Sequence, residues 1–189
     1  MAIKDILTDQ SKWTWGIMAA SAQLGEMIRE DAITSVNLST IAGLAVQQGI
    51  ELSITSFQGA RLEQEFGADW MWRLGQSAYL IQAKRLDVVP GSGGFSYLID
   101  IGQLETLVDA AQALSIGQGI DSKPAYVFYN SLLPGSVDPG QLGCTWVNGY
   151  VLHHYLEQKG KLSQASTVLP LQTATQLPGA GPWYQMFGS

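Results

Sequence analysis

Ala68-Asp69-Trp70-Met71-Trp72-Arg73-Leu74-Gly75-Gln76-Ser77-Ala78-Tyr79-Leu80-Ile81-Gln82-Ala83-Lys84-Arg85-Leu86 reads as two strands joined by a tight turn. Ala68 to Leu74 is the first of the two, Gly75-Gln76-Ser77 the connection, and Tyr79 to Leu86 the second. Successive side chains of a strand point to opposite faces. Leu80, Gln82, Lys84 and Leu86 therefore share one face, and Tyr79, Ile81, Ala83 and Arg85 the other. On the preceding strand Asp69 and Met71 share a face, with Trp70 and Trp72 opposite. A lysine projecting from a sheet interior is costly unless paired, and the short turn offers Asp69 as its partner.

The surroundings extend this hairpin into a sheet. Upstream, Ile50, Leu52 and Ile54 alternate with Glu51, Ser53 and Thr55, which predicts another half-buried strand. Downstream, Leu104, Leu107, Val108, Ala111 and Leu114 place an apolar stripe on a helix from Gln103 to Leu114. Ala125 to Tyr129 is short and wholly apolar, suited to the middle of a sheet.

Before the first strand, spacing predicts a helix from about Trp13 to Arg29, capped by Ser11 and carrying Glu26 and Glu30 one turn apart. A second helix is expected from Ser39 to Gln48, stopped by Gly49. Val147 to Gln158 reads as a last helix, and Pro90 to Gly94 as a flexible turn. The expected fold is α/β, a mixed central sheet flanked by helices with core order α-β-β-β-α-β. One domain is expected over residues 1–168. The Pro- and Gly-containing stretch 169–189 is expected to be an extended tail.

Composition bounds the function. With 46% hydrophobic and 14% charged residues, the 189-residue chain is that of an ordered globular protein. The single cysteine, Cys144, excludes an internal disulfide framework and a cysteine-rich zinc site. No secretory signal and no run of about 20 apolar residues is seen, so a cytoplasmic location without membrane contact is expected. The net charge of −6, with only ten Lys and Arg residues, argues against a broad basic face for nucleic acid. Such contact would have to be local, assisted by metal ions, or supplied by a homodimer or a partner protein.

A carboxylate, an amide oxygen and an ammonium converging on one point suit phosphodiester hydrolysis. Asp69 and Gln82 can hold a hard divalent cation, Mg²⁺ or in its place Mn²⁺. The cation activates water and polarises phosphate, while Lys84 stabilises developing charge. The plainer reading of Asp69 and Lys84 is a cross-strand ion pair. Adjacent His153 and His154 diverge by about 100° on a helix and do not easily ligate one metal. Cys144 fits a buried structural thiol.

Gly67-Ala68-Asp69 followed by Gln82-Ala83-Lys84-Arg85 resembles the core of the PD-(D/E)XK nuclease superfamily. The wording is closest to Mrr-type restriction endonuclease catalytic domains, which carry a Q-x-K motif. It is also similar to an uncharacterised bacterial family that combines a Glu, Gly-Ala-Asp-Trp, Gln-Ala-Lys-Arg and a Tyr-Val-Phe-Tyr-Asn strand, matched here by Glu65, Gly67 to Trp70, Gln82 to Arg85 and Tyr126 to Asn130. The resemblance covers roughly residues 13 to 130.

It implies a metal-dependent endonuclease in bacterial or phage defence, acting on DNA sooner than RNA. Asp69 and Gln82 would be metal ligands and Lys84 the catalytic lysine. Glu30, ahead of Glu26, would complete the site from the helix end nearest the sheet, with Glu65 as a further candidate. Ala68 stands where the superfamily's proline would be, and Gln82 brings one negative charge fewer than Glu. The superfamily includes inactive members, so a non-catalytic module binding nucleic acid or a protein partner is the alternative.

Overall fold

A computed structural model describes residues 2–57, 60–88, 94–131 and 137–188. Two helices, Ile3–Gln23 (α1) and Glu30–Gln47 (α2), lead into strand Leu52–Ser56 (β1). Helix Ala60–Phe66 (α3) follows, then the hairpin Trp70–Leu74 (β2) and Ser77–Arg85 (β3). Strands Asp87–Val88 (β4) and Phe95–Asp100 (β5) precede helix Ile101–Gln118 (α4) and strand Asp121–Tyr129 (β6). The remainder is helix Pro139–Leu142 (α5), strand Cys144–Asn148 (β7), helix Gly149–Gln158 (α6), strand Ser166–Pro170 (β8), helix Leu171–Gln176 (α7), strand Gly181–Pro182 (β9) and a 3-10 turn at Trp183–Phe187.

The main sheet has six strands in the order β1-β2-β3-β6-β7-β9, and β4-β5-β8 form a separate small sheet. β1, β2 and β3 form an antiparallel meander, whereas β3 and β6 run parallel, from Ser77↔Asp121 to Arg85↔Tyr129. A parallel pair needs a long crossover, and α4 supplies it. Asp100 starts that helix by accepting from Gln103 N at 2.8 Å, and Gly119 at φ 64° ends it. The architecture is a mixed α/β sheet between helices, and α2-β1-β2-β3-α4-β6 reproduces the expected core order, with α3 and the small sheet as additions.

A hydrophobic core lies on each side of the sheet. On one side Trp70, Trp72, Ile81, Ala83 and Val127 pack with Ile6, Leu7, Ile33 and Ile41 of α1 and α2. On the other, Leu80, Tyr126 and Phe128 pack with Leu104, Leu107 and Ala111 of α4 and Leu152 and Leu156 of α6. No helix among the described residues is long and apolar enough to cross a membrane.

Several expectations about element bounds are corrected. The first helix starts at Ile3 and stops at Gln23, because Gly25 takes φ 71° and turns the chain. Ser11 is buried within it and caps nothing: its hydroxyl donates to Pro139 O at 2.7 Å and accepts from Cys144 N at 2.8 Å. Glu30 opens α2 and does not close α1, while Glu26 lies in the connection between them, so the two share no helix. The segment from Val147 divides into β7 and α6, with Asn148 capping α6 through Tyr150 N at 2.8 Å.

The stretch 169–189 is not an extended tail over its described part. β8 pairs with β5, β9 pairs with β7, and Trp183 is fully buried with its indole N–H donating to Leu7 O at 2.7 Å. The Pro and Gly content predicted an extended end there, but Gly181 pairs with Trp146 at the edge of the main sheet. Of the Pro90–Gly94 turn, residues 90–93 lie outside the described residues.

Candidate active site

Asp69 lies just before β2, and its backbone N–H donates to Ile81 O at 2.8 Å, so the ladder with β3 already holds it. That register sets its carboxylate over the next two residues of β3. Asp69 Oδ2 accepts from Ala83 N at 2.7 Å and from Gln82 Nε2 at 2.9 Å. Both bonds fall on one oxygen, which leaves Oδ1 without a hydrogen bond among the described residues. The preceding Gly67 has φ 61°, and a Cβ there would come within 2.5 Å of Gln103 O and 2.7 Å of Leu107 N. Glycine thus lets the loop before Asp69 lie against the first turns of α4.

Alternation along β3 places Gln82 and Lys84 on the α4 side, with Gln82 almost fully buried and Lys84 half-buried. Lys84 does not pair directly with Asp69 as expected. Its ammonium donates to Gln103 Oε1 at 3.2 Å, and Gln103 Nε2 reaches Glu63 Oε1 of α3 at 3.4 Å. Gln103 is itself held at the start of α4, where its backbone N–H donates to Asp100. A chain α3–α4–β3 therefore positions the lysine.

Glu30 joins from the other direction. Its Oε2 accepts from Arg85 N at 2.6 Å, tying the first residue of α2 to the end of β3. Glu26 is exposed in the α1–α2 connection and does not line the same pocket. Glu65 is exposed as well, whereas Glu63, two residues earlier and so on the opposite side of α3, lines it. Arg85 points away from Lys84 and pairs with Asp87 at 3.1 Å.

These groups open into a pocket of about 790 Å³ at the end of β3. Glu30, Asp31, Glu63, Asp69 and Asp87 supply acids, Arg29, Lys84 and Arg85 cations, and Met27 and Leu98 apolar walls. Burial pushes the Glu30 carboxyl up to about 7, against the nearby Lys84 charge that lowers it and with Asp69 adding a smaller rise. Burial likewise raises Asp69 to about 6, although the Ala83 N–H and the Lys84 charge both favour its ionised form. Two desolvated acids close to one ammonium mark a place where negative charge is uncomfortable and a cation would relieve it.

Among the described residues no three His, Cys, Asp or Glu side chains converge as a metal centre. A divalent ion held here would draw on two carboxylates and an amide oxygen. The residues fit that role in one respect: Asp69 Oδ1 is without a hydrogen bond among the described residues, whereas Gln82 turns Nε2 toward Asp69 and would have to turn its amide over to offer Oε1. His154 is exposed on α6 beside Glu157 and Gln158, and Cys144 is buried with its thiol pushed up by desolvation; neither lines the pocket.

Residues 3–188 match the model of a family described as a family of unknown function (DUF6615), and the chain belongs to it. No curated protein matches the sequence.

Proposed function

We propose that the pocket at the end of β3 is a metal-dependent nuclease site that hydrolyses phosphodiester bonds. The observation that carries the reading is the meeting of Asp69, Lys84 and Glu30 at one pocket, with Gln82 buried behind Asp69 and hydrogen-bonded to it, on the α-β-β-β-α-β core that the PD-(D/E)XK resemblance implies. Asp69, Gln82 and Glu30 would hold Mg²⁺, with Mn²⁺ as a substitute. Bound there, the ion would supply an activated water and polarise the scissile phosphate.

The chain's own residues do the rest. Asp69 is pinned by the Ala83 N–H and keeps one oxygen free of hydrogen bonds among the described residues. Lys84, steadied by Gln103, carries a positive charge to the pocket, where it can orient the attacking water or stabilise charge on phosphorus. Glu30 brings a second acid that stays partly protonated near neutral pH and ionises fully when a cation is present.

DNA is the first substrate in this reading, in a bacterial or phage defence setting, and a cytoplasmic one given a free buried thiol. Cutting both strands of a duplex with one such site would call for a homodimer. Five acids against three cations around the pocket favour a second reading, a catalytically silent module that binds nucleic acid or a protein partner. Incubation with single- and double-stranded DNA and RNA over Mg²⁺ and Mn²⁺ separates them. Cleavage lost in Lys84→Ala supports the nuclease, and no cleavage of any substrate by the intact chain refutes it.

A further inference from the structure

Lys84 is bonded to the weaker of the acceptors around it. Two desolvated carboxylates, Asp69 and Glu30, share its pocket and feel its charge. Asp69 keeps Oδ1 without a hydrogen bond among the described residues. In a partly desolvated pocket, opposite unit charges attract more strongly than an ammonium and a neutral amide. Yet no ion pair among the described residues includes Lys84, whose ammonium donates to Gln103 Oε1 at 3.2 Å.

A released lysine would not be far from an acid. Asp69 Oδ2 accepts from the backbone N–H of Ala83, the residue just before Lys84, at 2.7 Å. Asp69 borders β2, which pairs with β3, so the two side chains leave one face at the diagonal spacing that a long side chain spans. Gln103 is built to hold the ammonium elsewhere. Its backbone N–H donates to Asp100 Oδ1 at 2.8 Å and its Nε2 to Glu63 Oε1 at 3.4 Å, which leaves Oε1 for Lys84. Gln103 lines a neighbouring cavity of about 420 Å³ and not the pocket of Asp69 and Glu30, so it acts through the lysine.

We propose that Gln103 is a positioning residue that holds Lys84 off Asp69 and so keeps the Asp69 carboxylate open to a divalent cation. Without the amide, the ammonium falls onto Asp69 as a cross-strand ion pair that a cation must displace. This rests on the cation-binding reading of the site.

The test is divalent-ion binding by the full chain without substrate, by calorimetric titration with Mg²⁺ and Mn²⁺. Gln103→Leu removes the amide but keeps a good helix former and the backbone N–H that Asp100 caps. Its cation affinity should fall roughly tenfold, as for loss of a group that orients a ligand. Lys84→Met removes the competing ammonium. Its gain in affinity should therefore be about tenfold greater in Gln103→Leu than in the parent.

Unchanged affinity in Gln103→Leu overturns the proposal and leaves the nuclease reading standing, as does an equal effect of Lys84→Met in both backgrounds. An intact chain that binds neither ion overturns both. If Gln103→Leu does not fold, the unsubstituted, cation-free protein decides the matter by NMR. The Lys84 ε-methylene protons should show a cross-peak to the Gln103 side chain and none to the Asp69 β-methylene, and any other pattern overturns the proposal.

Discussion

Under α1 and α2, the sheet presents Trp70, Trp72, Tyr79, Ile81 and Ala83, all buried, with Trp72 in ring contact with Trp70, Trp183 and Phe187. Toward α4 the same strands present Leu80 and Met71 at one end and Gln82, Lys84 and Asp69 at the other. Consecutive residues of one strand thus serve opposite purposes. Each fully buried large apolar side chain on the first face contributes about 1.5–3 kcal/mol. The second face changes character at Gln82, where desolvated acids and an unpartnered amide oxygen cost stability. A strand buried on both faces can hold a costly constellation rigidly because the opposite face secures it.

The sharpest way to break this contrast is to weaken the aromatic face. Trp72→Ala should lower unfolding free energy by about 3–5 kcal/mol in urea titrations; a loss below about 1 kcal/mol would mean that this face does not anchor the sheet. On the other face Lys84→Ala should lower the unfolding free energy by less than Trp72→Ala does, about 1–2 kcal/mol, because it leaves Gln103 Oε1 and two desolvated acids without their ammonium. Single-turnover cleavage in Mg²⁺ should fall roughly 10²–10³-fold. A large stability loss with cleavage intact would reverse the roles assigned to the two faces.

Charge provides a smaller and signed effect. Glu30 and Asp69 are raised from 4.5 and 3.8 to about 7 and 6, so the folded protein holds protons that the unfolded chain has released. Their contribution is therefore neutral below about pH 4, falls as pH rises through 4 to 7, and levels off above that window. Glu30→Gln keeps an acceptor for Arg85 N. It should stabilise the protein by on the order of 1–3 kcal/mol at pH 8 and not at pH 4, read from denaturation at the two pH values. Saturating Mg²⁺ should narrow the difference at pH 8. The smallest effect belongs to Arg85→Ala, because its pair with the partly exposed Asp87 is worth under about 1 kcal/mol. Thermal denaturation at low and high salt checks it.

What could be read in advance followed from period and length. β3 and β6 are long enough for alternation to place every side chain, so the face shared by Gln82 and Lys84 and the Trp70–Trp72 face were legible. Lys84 takes Gln103 as its hydrogen-bond partner instead of Asp69, because Gly67 lets the loop sit against α4. That approach is tertiary and leaves no periodic trace. Glu63 was passed over because α3 has only seven residues, too few to reveal which acid faces inward. The one usable signal was Asp100 as a helix cap, which puts Gln103 in the first turn of α4 rather than at its start. The start of α1 was hidden by Lys4, Asp5 and Asp9, which lie on its exposed side.

The bond from the Trp183 indole to Leu7 O spans 176 residues of sequence. With β9 on the edge of the sheet, it makes the far ends of the described chain neighbours in one core. Contacts so distant in sequence form only after the chain has closed its largest loop, and proteins rich in them fold slowly. Until that closure the apolar faces of α1 and β2 that receive Trp183 stand open to water. The contact that closes the longest loop is thus also one that covers apolar surface of α1 and β2.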